Sequence, residues 1–285
     1  MHTRKRRGSR SWRRTVSVLV TTAAMAIGLT VYASSATAIP RLCNPGTPTA
    51  QTGNRSCVNF QILPSNPHGT FHNSSLFVHT HTNYLHPGNK SQGGFAKTVT
   101  IDFDSDGRIN FGTIPRCTPA QLSGKNISQA WRTCGPGAGA AHNAYLSPST
   151  GVSGRTSTAP PSNFNGCTLV FKGPQQNQVL LYARVTLVAN GTANCANPAT
   201  NTAGNSTVLL TGTIANAGVA GFGKKLTVPG IANLPLPLDD FYATVKRGSY
   251  IQARCTASPW RVRGIFAYSG TGQKTDVSNA TQPCT

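Results

Sequence analysis

Eight cysteines, Cys43, Cys57, Cys117, Cys134, Cys167, Cys195, Cys255 and Cys284, all lie beyond residue 42, behind a segment with the marks of an export signal. An even number of cysteines in an exported chain reads as a disulfide framework. None of them forms a Cys-x-x-Cys pair, which argues against a thioredoxin-type redox site and against a zinc ribbon. The simplest of the many pairings joins sequence neighbours: Cys43–Cys57, Cys117–Cys134, Cys167–Cys195 and Cys255–Cys284. Each such loop contributes about 3 kcal/mol by restricting the unfolded chain. A chain cross-linked in this way can build on short strands without a large helical core.

Residues 1–38 carry the three parts of a secretory signal. Arg4, Lys5, Arg6, Arg7, Arg10, Arg13 and Arg14 form the basic start, an apolar run follows from Val16 to Tyr32, and Ala36-Thr37-Ala38 is an A-x-A cleavage site. The run is diluted by Ser17, Thr21, Thr22, Gly28 and Thr30 and falls short of the roughly 20 strongly apolar residues of a spanning helix. Arg13-Arg14 sits in poor surroundings for a twin-arginine signal, so ordinary secretion is the expectation. No later segment is apolar enough to span a bilayer. The mature protein is expected outside the cell, secreted or associated with the wall, with no transmembrane segment after signal removal.

Charge narrows the chemistry. The chain holds 26 Lys and Arg against 6 Asp and no Glu. Without its first 38 residues it keeps 19 basic residues and all six acids, a net charge of +13. So few carboxylates count against hydrolases built on paired acids and against Glu-rich coiled coils. The excess is spread along the chain, with only short pairs such as Lys224-Lys225 and Lys246-Arg247. Such a surface attracts anionic cell-wall polymers or acidic polysaccharide over about 8 Å at physiological salt. Nucleic acid is not expected, because the basic residues form no run with interleaved aromatics.

Short runs rich in Val, Ile, Thr, Tyr and Phe recur between Gly, Pro and Asn clusters and predict strands at Val58–Leu63, Ser75–Thr82, Lys97–Phe103, Thr168–Lys172, Gln178–Ala189, Thr207–Ala215, Lys225–Val228, Phe241–Lys246, Tyr250–Cys255 and Arg261–Tyr268. In Gln178–Ala189 one face carries Val179, Leu181, Ala183, Val185 and Leu187. The other carries Leu180, Tyr182, Arg184, Thr186 and Val188. Only Ile127–Cys134 reads as a helix, with Ala130 and Trp131 inward. Ser147–Pro161, rich in Ser, Thr and Pro, reads as a long surface loop. The expected organisation is a signal peptide at 1–38, a Pro- and Gly-rich N-terminal arm at 39–57, and one domain at 58–285. That domain is expected to be all-β, an antiparallel, jelly-roll-like β-sandwich braced by disulfides, with one short helix.

The order of several short motifs resembles a group of uncharacterised secreted β-rich proteins of actinobacteria. The matching residues are Ile101-Asp102-Phe103-Asp104, Ile114-Pro115-Arg116-Cys117-Thr118-Pro119, Gln129-Ala130, Cys134, the glycines 135, 137 and 139, Phe164-Asn165-Gly166, Val228-Pro229 and Ala253-Arg254-Cys255. They span roughly residues 97–270 and leave the histidine-rich segment outside. The resemblance implies export and a β-rich fold, and no activity.

Two patches could carry chemistry. Asp102, Asp104 and Asp106, followed by Gly107 and Asn110, match the opening of a calcium loop, in which alternating oxygens converge on a hard cation. Thr113 stands where the bidentate Glu belongs. The competing reading is a turn at Asp106-Gly107 closing a hairpin between Val99–Phe103 and Arg108–Phe111. Histidine supplies the second patch: His68, His72, His79, His81 and His86 fall within 19 residues. His79 and His81 share one face of a strand beside Phe77. With His72 or His86 they would form a site for zinc or copper. No nucleophile elbow or phosphate loop is present. The leading expectation is a non-enzymatic binding or structural protein with no cofactor. The alternative is an exported metal-binding protein, an enzyme in its strongest form, using the histidine strand.

Overall fold

A computed structural model describes residues 42–65, 69–86, 94–110, 114–135, 149–155, 163–187, 204, 206–234, 237–245, 248–256, 259–270 and 274–284. Its strands are β1 (Arg55–Leu63), β2 (His72–Asn73), β3 (Ser75–Asn83), β4 (Ala96–Asp104), β5 (Gly107–Ile109), β6 (Ser149–Arg155), β7 (Asn163–Lys172), β8 (Gln178–Leu187), β9 (Ser206–Asn216), β10 (Phe222–Pro229), β11 (Asp240–Val245), β12 (Ile251–Ala253), β13 (Trp260–Tyr268) and β14 (Asp276–Gln282). Eleven of them form one sheet in the order β1-β3-β11-β6-β7-β8-β9-β10-β4-β13-β14, and β2-β12-β5 form a small second sheet. Every pairing among the described residues is antiparallel. The fold is all-β and sandwich-like. Among the described residues no helix is long and apolar enough to cross a membrane.

The side-chain period of two decides what lies inside. Val58, Phe60 and Ile62 of β1, Leu76 and Val78 of β3, Ile101 and Phe103 of β4, Val179 and Leu181 of β8, and Val262 and Phe266 of β13 meet in one apolar core. Gly264 is required where β13 passes β1, because a Cβ there would stand 3.1 Å from that of Val58 and 2.7 Å from the Phe266 ring. The second apolar face of β8 is buried too. Leu180 and Tyr182, with Leu169 and Phe171 of β7, pack under two helices, α1 (Pro119–Leu122) and α2 (Ile127–Cys134), through Leu122, Ile127 and Ala130. Both helices start with a capping box, Thr118 with Gln121 and Asn126 with Gln129, which satisfies the first free N–H groups. The Tyr182 hydroxyl donates to the Lys125 carbonyl and fastens this layer to the sheet.

The two ends of the large sheet are joined by side chains. The amides of Ser56, Val58 and Ile62 donate to Asp276 Oδ2 at 2.6 Å, Ser278 Oγ at 3.1 Å and Gln282 Oε1 at 2.6 Å. Gln282 Nε2 donates back to the Ile62 carbonyl at 2.9 Å. Each of these pairs is separated by 220 residues, so β14 lies parallel to β1 and in constant register with it. Phe60, opposite Ala280, takes its own neighbour instead, at 2.9 Å from Asn59 Oδ1. The exposed edge amides of a terminal strand are an aggregation hazard; here the side chains of β14 occupy them.

Cys43–Cys57, Cys117–Cys134 and Cys255–Cys284 are bonded, as sequence neighbours. Cys167 is disulfide-bonded as well, and Cys195 lies outside the described residues. Several expectations need correction. Ser149–Arg155, within the segment read as a loop, is a strand between β11 and β7. Among the described residues there are two short α-helices rather than one. The segment after Asp106 does not fold back on β4; it turns away as β5 and pairs with β12. Strand β1 begins at Arg55, inside the stretch assigned to the arm. The signal-like residues lie outside the described ones.

Candidate functional site: two polar clusters on the outer face

On β3, Leu76 and Val78 point into the core, so Phe77, His79 and His81 face outward. The register sets Asp240 of β11 opposite His81, and Cys57 of β1 opposite His81 on its other side. Asp240 Oδ1 then receives both imidazoles, His79 Nε2 at 2.7 Å and His81 Nδ1 at 2.8 Å. Burial pushes the Asp240 carboxyl up, but the hydrogen bonds from His79 and His81 outweigh it and hold it far below the usual carboxylate range. Its hydrogen bond to Asp240 raises His81 above the ordinary value near 6.5, against the opposing effect of burial. His81 Nε2 also meets an acceptor, Asn83 Oδ1 at 3.0 Å, so both its nitrogens carry protons in the imidazolium form.

His79 is only 2% exposed, and its tautomer is fixed by the backbone. The amide of Cys43 donates to His79 Nδ1 at 3.0 Å, so the proton of the neutral ring is on Nε2, where it is given to Asp240. Asn83 Nδ2 donates to the Gly46 carbonyl at 2.7 Å. Together with the Cys43–Cys57 disulfide these contacts hold residues 43–46 over the cluster. The cluster is therefore a three-point clamp for the N-terminal arm.

His79, His81 and Asp240 each offer one ligand atom, all within 4.8 Å of one another, and could hold a metal ion. To do so, His79 must give up its Nε2 proton while Nδ1 still holds the Cys43 amide, and His81 must lose its proton as well. The sequence put His72 or His86 beside the pair. The structure puts Asp240 there, with His72 on β2 of the small sheet beside Thr70, and His86 three residues beyond the end of β3. His68 lies outside the described residues. Asp240 escaped sequence reasoning because it is 159 residues from His81 and follows another Asp.

The acidic loop resolves differently from a calcium site. Asp102, Asp104 and Asp106 are all buried, and each is taken by its own arginine. Arg263 Nε donates to Asp102 Oδ2 at 2.9 Å, Arg261 Nε to Asp104 Oδ2 at 3.4 Å, and Arg254 Nε to Asp106 Oδ1 at 3.0 Å. Asp106 Oδ2 accepts the Thr256 amide at 2.9 Å, and Asp104 Oδ1 accepts the Asp106 amide at 2.9 Å. Burial pushes Asp106 up, yet Thr256 and Arg254 outweigh it and hold it below its ordinary value. Asn110 is engaged with the Ser249 carbonyl and Gln252. The calcium reading of Asp102, Asp104, Asp106 and Asn110 is thus corrected. The carboxylates diverge toward three arginines on β13 and the segment before it, which the spacing of the acids alone could not reveal.

The arginines of this ladder, together with Arg108, also stack on aromatic rings. Arg108 and Arg254 lie 3.7 and 4.7 Å from the centre of Phe71, and Arg263 and Arg261 lie 5.1 and 5.7 Å from that of Phe222. Stacking of this kind holds guanidinium groups in place at a surface. No family model matches the chain, and neither a curated protein nor a solved structure matches it.

Proposed function

We propose that this is a secreted protein that works without catalysis, by associating through its cationic surface with anionic polymers of the cell envelope. One observation carries the reading. Five of the six acids are engaged within the fold: Asp102, Asp104 and Asp106 with arginines, Asp240 with two histidines, and Asp276 with the Ser56 amide and Arg55. Little negative charge is left to offset Lys97, Arg108, Arg116, Arg132 and Lys274, all exposed. A surface so unbalanced draws polyanions and repels cations. The disulfides, the signal-like first 38 residues and the resemblance to secreted actinobacterial proteins support export. Co-sedimentation of the secreted protein with purified anionic wall polymer tests this proposal. Binding that falls away as salt is raised supports it, and equal recovery on a neutral glycan contradicts it.

A second reading has its own support in the convergence of His79, His81 and Asp240. On this reading the cluster takes zinc or copper, displacing two protons and loosening the arm. About one equivalent of metal in the purified protein, lost in the His81→Ala variant, would favour it.

A further inference from the structure

We propose a binding site for a small neutral amphiphile, a short hydrocarbon chain bearing one hydroxyl or carbonyl group, inside the large sheet and entered between β9 and β10. The core contains an apolar cavity of about 80 Å³, walled by Leu181, Ala183, Val185, Leu210, Leu226 and Phe241 among others. A second cavity of about 70 Å³ backs onto it and shares Ile101, Leu181, Leu226 and Phe241. One water needs about 10–15 Å³ and a dry apolar cavity of about 150 Å³ takes benzene, so the two spaces together suit about six carbons.

Two features distinguish this space from a packing defect. Thr168 of β7 lines the first cavity, is 3% exposed, and its hydroxyl has no hydrogen-bond partner among the described residues. A buried hydroxyl without a partner costs about 1–3 kcal/mol, and among the described residues the one other polar side chain on the walls is that of Thr80. A ligand hydroxyl or carbonyl would satisfy it. Among the described residues the walls hold no charged side chain, so a carboxylate or phosphate would be stranded there.

The second feature is a way in. Strands β9 and β10 pair only from Lys224↔Asn216 to Thr227↔Thr213. Beyond that point β9 continues with β8 alone, from Thr213 back to Ser206, while Val228 and Pro229 stay with β4. The strands fork, and Gly230, with φ +78°, turns the chain into a short 3-10 turn, Ile231–Asn233, beside the gap. An open groove of about 450 Å³ runs along this fork and shares Val208, Leu210 and Leu234 with the cavity.

The test uses the full secreted protein and 1-hexanol, followed by methyl NMR, with hexane and hexanoate as comparisons. Saturable shifts confined to Ile101, Leu181, Val185 and Leu210 are expected for hexanol and hexane, with none for hexanoate. Thr168→Val should weaken hexanol about 3- to 10-fold relative to hexane, the range of one hydrogen bond. Ala183→Leu, which fills the cavity, should abolish both; Leu234→Trp, at the half-exposed mouth, should slow entry without altering the core, should Ala183→Leu fail to fold. Absence of saturable shifts, hexanoate binding as well as hexanol, or an unchanged hexanol-to-hexane ratio in Thr168→Val would overturn the proposal.

Discussion

Replacing Asp276, Ser278 and Gln282 together with alanine should open the seam between β1 and β14 without touching the core. The change removes the acceptors of the Ser56, Val58 and Ile62 amides and the return bond to the Ile62 carbonyl. Three neutral hydrogen bonds contribute about 0.5–1.5 kcal/mol each and the bond to a carboxylate about 1.5–3, so the loss should be about 3–7 kcal/mol of global stability. The Cys255–Cys284 bond keeps the strand end tethered. Backbone hydrogen exchange gives the more searching assay, because the seam has a period of two. Amides of Ser56, Val58 and Ile62 should exchange at least about tenfold faster, beyond any global change. Phe60, bonded to Asn59 Oδ1, and the amides of β1 that face β3 should not follow. Uniform acceleration along β1, or none, would refute the idea that side chains close the sheet.

Further consequences concern the charged groups and the arm. Asp102→Ala leaves Arg263 with its charge uncompensated beside a site that is 2% exposed, and should cost about 3–5 kcal/mol in denaturant unfolding, against near-neutral effects for exposed Lys97→Ala. The Asp240–His81 contact makes stability depend on pH from both sides. His81, raised in the fold, contributes fully below its ordinary value near 6.5 and loses that contribution as pH climbs through the raised value. Asp240, depressed in the fold, contributes fully above its ordinary 3.8 and loses that contribution as pH falls toward its depressed value. Stability measured across pH should therefore plateau between about 4 and 6.5, and His81→Gln should remove the decline on the alkaline side. Replacing Cys43 and Cys57 with serine should cost about 3 kcal/mol and release the Cys43 amide from His79, seen as a shift of the His79 ring signals.

The legible part of the fold was the part built on apolar alternation. Each of the ten predicted strands coincides with an observed one, because residues such as Val179, Leu181, Ala183 and Val185 can share a face only in an extended chain. The second apolar face of β8 was visible as well, and its cover, α2, was readable from Ile127–Cys134. Strands β2, β6 and β14 were missed, the last two for a physical reason. Ser149–Arg155 carries a single large apolar residue, and its place is set by the backbones of β11 and β7. In β14 the inward positions are Asp276, Ser278, Ala280 and Gln282, whose task is to bond an edge and not to fill a core. The polar clusters failed in the same way. His79 and His81 could be placed on one face, but their partner Asp240 and the arginines that take Asp102, Asp104 and Asp106 come from segments more than 140 residues away. Sequence spacing carries no record of register between such strands.

The central claim is that the acids serve the fold and the remaining cations serve an anionic partner. Its most direct test is the affinity of the secreted protein for an acidic polysaccharide and for the same polymer with its carboxylates reduced to alcohols, measured as salt is raised from about 0.05 M to about 0.3 M. The account predicts at least a tenfold loss of affinity for the acidic polymer over that range and negligible binding to the reduced one. Affinity that ignores salt, or is the same for both polymers, would contradict it.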